Sequence, residues 1–379
     1  MRICKIIHLS IMSSWKVIPR QTSKGVVEVS DTKRLYYLDN SRVALVILVI
    51  AHHVGQAYGP TGGDWMITDA SSAPVLGAFF FVNRSFFMSL FFMISGYFTV
   101  MSFRSKGTRS FLKDRLLRLG LPALFFALMM IPLKLFVFDD PPFPLEVGHL
   151  WFLEHLLIFS AGYVLWETVR KDRPAENQGQ TNPPGYVPIL LTALGLAVVT
   201  GIVRIVSPID RWVYLLGFIR VAFADVPRDL AFFIIGVAAY KNDWFRKFPT
   251  RDGYVWLSIG VGLAVFWYAY ELLLWQWLPT DGIGWDIFRL LWEMVFCFGM
   301  CIGLTVLFRE KLNIQGRLGK AMAQGQFAAY IFHIFFVLLF QALLAGVALP
   351  AFAKFVLVTL AAVPTTFLFS YWVRKPLRL

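Results

Sequence analysis

Arg42 and His53 bracket an almost wholly apolar stretch, RVALVILVIAHH. Eleven residues make three helical turns, so both side chains fall on one face, roughly 16 Å apart along the axis, while His52 points about 100° away. Ionisable groups in such a stretch are costly to keep and are usually kept for function. A neutral imidazole in a dry site can take a proton from a hydroxyl, as a general base does. Asp39, three residues before Arg42, is placed to cap the helix start or to hold the guanidinium. The plainer alternative is a cationic anchor at the edge of a membrane and a core histidine bonded to a neighbouring helix.

Other residues suit the same chemistry. In RSKGTRSFLKDRLLRLG, Arg115 and Arg118 are three apart and face one way. Guanidinium forks there can grip phosphoryl oxygens, or simply mark the cationic side of a membrane. Ser95-Gly96, in FFMISGYF, allows two helices to approach closely. His333 lies in a later apolar run, where it lines a donor tunnel or is a bonded core histidine. Trp151, Glu154 and His155 follow His149 within two turns and suit an acceptor site, by sugar stacking or by bonding hydroxyls, or they solvate a vestibule. Arg84 suits an acceptor or a developing oxyanion, or a lipid headgroup. Glu293, four residues after Arg289, reads as half of an internal ion pair or as a catalytic carboxylate. No residue set has the spacing of a metal site.

The chain that must position these groups has 379 residues, 58% hydrophobic and only 16% charged. Soluble domains are nearer 45–50% and about 25%. A bilayer is therefore the natural solvent. About ten apolar segments (range nine to eleven) are long enough to span, near 42–59, 76–102, 119–138, 149–168, 186–206, 226–240, 254–275, 286–308, 327–348 and 352–373; 212–224 reads as a re-entrant or interfacial piece. The fold class is all-α and polytopic. Connections on the N-terminal side of the membrane carry nearly all the loop lysine and arginine, whereas those on the other side hold only Arg211 and Arg220. That asymmetry puts both termini in the cytoplasm. It also accounts for the net charge of +13 without a nucleic-acid partner. Residues 1–38 read as a cytoplasmic tail and 39–379 as the membrane domain. The flexible linker RKDRPAENQGQTNPPG, at 170–185, is too short to be a soluble catalytic domain. Trp65, Trp151, Trp275, Trp277 and Trp285 mostly read as an interfacial aromatic belt. Cys4, Cys297 and Cys301 make no disulfide scaffold, and no Walker loop or G-x-G-x-x-G occurs, which disfavours a nucleotide-driven pump.

Five motifs in this order, Arg-x10-His at 42–53, SGY at 95–97, Arg-x-x-Arg at 115–118, HLWFL at 149–153 and YIFH at 330–333, resemble the acyltransferase-3 family of integral membrane acyltransferases. The likeness covers about 40–375. It implies a multi-pass enzyme of the cell (inner or plasma) membrane that takes an acyl group, usually acetyl, from cytosolic acyl-CoA. The group passes to a hydroxyl of a carbohydrate or glycan acceptor. By the same resemblance His53 matches the essential histidine, and Arg42, Arg115 and Arg118 match motifs linked to the donor. Glu154 departs from the pattern, which commonly has an apolar or small residue there, and the tail before Arg42 is longer than usual. The contrasting expectation is a transporter or flippase using the same polar path. The sequence specifies neither the acceptor nor an oligomeric state.

Overall fold

The first helix, α1 (Tyr36–Gly55), carries Arg42 and His53 as the periodicity requires. It belongs to a computed structural model that describes residues 35–60, 65–136, 145, 147–170, 181–209, 211–278 and 281–374. Most of the expected tail and linker, Cys4 and the last five residues lie outside the described residues. Helices α2 (Val75–Arg84) and α3 (Phe87–Lys106) form one broken span, interrupted at Ser85–Phe86. Helix α4 (Thr108–Arg115) continues through a π-helical turn, Leu116–Gly120, into α5 (Leu121–Phe136). A 3₁₀ turn, Gly148–Leu150, leads into α6 (Trp151–Arg170), and α7 (Tyr186–Val206) follows. Then come α8 (Val226–Asn242), α9 (Trp244–Lys247), α10 (Thr250–Ala269), α11 (Ile283–Lys311), α12 (Arg317–Leu344) and α13 (Ala351–Val373).

Among the described residues, eight helical stretches are long and apolar enough to cross a membrane. Helices α6 and α8 run beside them, both packed on α3. The chain is thus an all-α polytopic membrane protein. A lipid-facing surface needs every backbone polar group bonded internally, and helices meet that demand.

The segment 212–224, expected as a re-entrant or interfacial piece, holds an antiparallel hairpin, β1 (Val213–Leu215) with β2 (Ile219–Val221). Its β-branched and aromatic residues favour strands, and Gly217 takes positive φ in the turn. Helix α12 starts ten residues before the expected 327, which moves His333 deeper into its span.

Small residues set the tightest crossing. Gly96 of α3 and Gly236 of α8 lie backbone to backbone; a Cβ on Gly96 would strike the Phe233 carbonyl, and one on Gly236 the Met93 carbonyl. Helix α1 is fastened at its Arg42 end to the turn joining α11 and α12. Tyr37 N–H donates to Asn313 Oδ1 (3.2 Å), the Asn40 amide to the Leu312 and Ile314 carbonyls (2.6 and 3.0 Å), and the Gln315 amide to Asn40 Oδ1 (2.8 Å).

Candidate active site

Three imidazoles from three distant segments meet at the far end of α1. The His53 ring lies 5.1 Å from that of His333 and 6.2 Å from that of His149, and those two are 4.7 Å apart, centroid to centroid. Each ring is positioned for a local reason. His149 follows Gly148, whose φ of +53° suits glycine and where a Cβ would press on Phe126. His149 Nε2 bonds the Ile331 carbonyl (3.0 Å), and the Tyr330 hydroxyl donates to the His149 carbonyl. His333 Nδ1 donates to the Tyr330 carbonyl (2.7 Å), which fixes its tautomer and leaves Nε2 buried with a free lone pair. His53 Nδ1 is likewise buried without a hydrogen-bond partner. Among the described residues, no group of His, Cys, Asp and Glu is arranged to hold a metal ion.

The expected donor-tunnel role of His333 places it nearer Arg42 than it lies. The residue stands in the imidazole cluster, because α12 begins earlier than its hydropathy suggests. His149 was visible in the sequence only as the first letter of HLWFL.

A tryptophan covers the cluster. Trp65, in the connection from α1 to α2, stacks on His53 at 5.5 Å and 19°. Its indole N–H donates to Gln341 Oε1 (2.9 Å), while the Gln341 amide donates to the Val54 carbonyl (3.0 Å) and reaches the His53 carbonyl (3.4 Å). The aromatic-belt reading of Trp65 is therefore corrected: it packs on the site. Trp275 and Trp277, 52% and 82% exposed, are open as that reading expects.

At the other end of α1 two arginines converge on α3. The Arg42 guanidinium lies over the Phe98 ring (4.7 Å) and pairs with Asp39. Arg115 donates to the buried Thr99 hydroxyl (3.1 Å). The Nε atoms of both are buried without partners. Arg118 turns outward, 47% exposed, and pairs with Asp114 (3.1 Å). The expected common face of Arg115 and Arg118 is lost because the chain enters the π turn just after Arg115, and wider turns rotate later residues away.

The remaining candidates are spread over α2, α3, α6 and α11. Glu154 accepts the Arg220 backbone N–H (3.0 Å), tying α6 to the hairpin. The Arg220 guanidinium covers Trp212 (4.4 Å), and Trp212 meets Trp151 (5.6 Å). His155 is 4% exposed, with neither ring nitrogen bonded. Ser95 is half-buried beside Gly96. Glu293 is engaged by the Arg204 fork (2.7 and 2.9 Å) and by Arg228. It is not paired with Arg289, which lies over Phe81. Arg228 also reaches Asp225 (3.2 Å) and Asp229 (3.6 Å), and Arg84 and Arg204 reach Asp225 (3.8 and 3.4 Å). Burial works to raise the Asp225 carboxyl, but Arg228, Arg84 and Arg204 leave it below the usual carboxylate range. Beyond Glu293 as half of an internal ion pair, the network was not legible in the sequence, because its five other members lie at helix ends, where charge is ordinary.

Residues 35–375 match a family model described as an acyltransferase domain (acyltransferase-3). The chain belongs to the acyltransferase-3 family. Relatives named glucans biosynthesis protein C, from Escherichia coli strains K12, SMS-3-5 and O1:K1, are each 28% identical to it over 232 residues. The match covers 55% of this chain and 58% of each relative, so the chain spans a little over half the length of the curated relatives it matches. No solved structure matches.

Proposed function

We propose that this acyltransferase-3 protein moves an acyl group, most simply acetyl, from acyl-CoA to a hydroxyl of a carbohydrate acceptor, with His53 as general base. The observation that carries the reading is the arrangement along α1: unpaired guanidinium nitrogens at one end and a cluster of imidazoles at the other. Their separation, roughly 16 Å, is of the order of an extended pantetheine arm. Arg42 and Arg115 would hold the phosphates of the carrier, and the thioester would reach His53. Both termini and the arginines face the cytoplasm of a cell membrane in this reading, which the loop charges support.

The chemistry balances without a further co-reactant. The imidazole of His53 takes the hydroxyl proton as the oxygen attacks the thioester carbon. A tetrahedral centre forms, the carbon–sulfur bond breaks, and the ester remains on the acceptor. The proton returns from the imidazolium to the coenzyme thiolate. His149 and His333, each with one nitrogen committed to a carbonyl, orient the reacting ring and exclude water. The name of the glucan-related relatives supports a carbohydrate acceptor.

Purified protein given labelled acetyl-CoA and a glucose pentasaccharide tests the reading. The expected result is labelled ester with the native chain and none with His53→Gln at the same abundance and thermal midpoint. Turnover retained in His53→Gln would remove the base. Substrate flux into liposomes without ester formation would favour a transporter.

A further inference from the structure

Trp65 is more elaborately placed than a loop residue at a membrane surface requires. Its connection is pinned on both sides of the indole. Asp69 N–H donates to the Ala57 carbonyl (2.9 Å) and Ala73 N–H to the Tyr58 carbonyl (2.8 Å). Asp69 also forms an ion pair with Lys354 of α13, both side chains being 4% exposed, and accepts from the Ser71 N–H (3.1 Å) and hydroxyl (3.0 Å). Burying such a pair carries a desolvation cost that a freely lying interfacial tryptophan would not incur. Gln341, fully buried, then joins the indole to the last turns of α1, so ring and imidazole keep one spacing.

We propose that Trp65 is the stacking platform for a neutral pyranose ring of the acceptor, seated beside His53. The residue is partly exposed, and one part of its indole lies on His53. An aromatic face carries negative quadrupole charge and suits the weakly positive C–H face of a sugar. A ring lying there presents its hydroxyls at its rim, toward the edge of the His53 imidazole. A phosphorylated or carboxylated ligand would gain nothing from that face. The inference deepens the acyl-transfer reading and rests on it.

Isothermal titration of the full chain in nanodiscs with a glucose pentasaccharide, and separately with acetyl-CoA, tests the platform. Trp65→Leu should weaken pentasaccharide binding about tenfold and leave the acetyl-CoA affinity unchanged. Trp65→Phe, which keeps an aromatic face and protects against loss of the fold, should fall between. Gln341→Leu, which frees the indole, should weaken the sugar in the same direction. Unchanged pentasaccharide affinity in Trp65→Leu overturns the proposal. So does an equal loss of both ligands, which would make Trp65 a support for the site as a whole, and so does failure of the native chain to bind the pentasaccharide. Native protein that binds the sugar through Trp65 but forms no ester would refute acyl transfer and leave the platform standing.

Discussion

Arg115 and Arg118 carry the same charge three positions apart, yet only Arg115 turns inward, to the Thr99 hydroxyl. Arg115→Ala is therefore expected to raise the KM for acetyl-CoA about tenfold with little change in kcat. Arg118→Ala should stay within about twofold. Steady-state kinetics with the donor varied separates the two, and equal effects would restore the double clamp. The pairing of Arg42 with His53 could be read from spacing, since one helix carries both. The surroundings of His53 could not. Gln341 lies 288 positions from His53, and Trp65 sits in a connection whose composition resembles any interfacial loop. Only the order of short motifs hinted that residues 149 and 333 belong with 53, and spacing gives no distance between helices.

At the scale of elements, the α3–α8 contact and the pinned α1–α2 connection hold the site in place. Gly96→Val should destabilise the chain by about 2 kcal/mol or more, because Cβ meets backbone rather than a movable side chain. A thermal midpoint matching the native chain would show that α3 and α8 can separate without cost. The Ser-Gly pair was correctly legible as a close approach, since glycine in a helix has few other uses. The hairpin was not, because a short apolar run fits a strand pair as well as a short helix. In the connection, burial alone would raise the Asp69 carboxyl, but its bonds to Lys354 and Ser71 hold it below its ordinary value. A carboxyl lowered in the folded state stabilises at pH above its ordinary value, and that contribution is lost as pH falls through the lowered one. Melting curves of the native chain should therefore lose stability on acidification below the usual carboxylate range. Asp69→Asn should melt lower near neutrality and lose less on acidification; a pH profile parallel to the native one would remove Asp69 as the titrating group.

Across the whole molecule, three arginines (84, 204 and 228) face three carboxylates (225, 229 and 293) where α2, α3, α7, α8 and α11 meet. Charges this deeply buried are tolerable only together. Glu293→Gln should cost about 3–5 kcal/mol, seen as a lower melting temperature and poor recovery from membranes, by stranding positive charge in an apolar interior. Native stability in that variant would show that water reaches the cluster. The rough number of spans could be read from hydropathy, about ten expected against eight apolar helical stretches of sufficient length among the described residues, because lipid demands apolar length from every span. Which of them exchange charge could not, since that depends on packing.

Helix α1 is held at one end by the turn before α12 and at the other by Gln341 within α12. Two parts of the same neighbour thus hold it like a bar between jaws, and the stretch from residue 42 to residue 53 becomes a ruler of fixed length. A carrier measured against it is judged by the length of its arm, so a shortened pantetheine would leave its thioester short of the imidazoles whatever acyl group it bore.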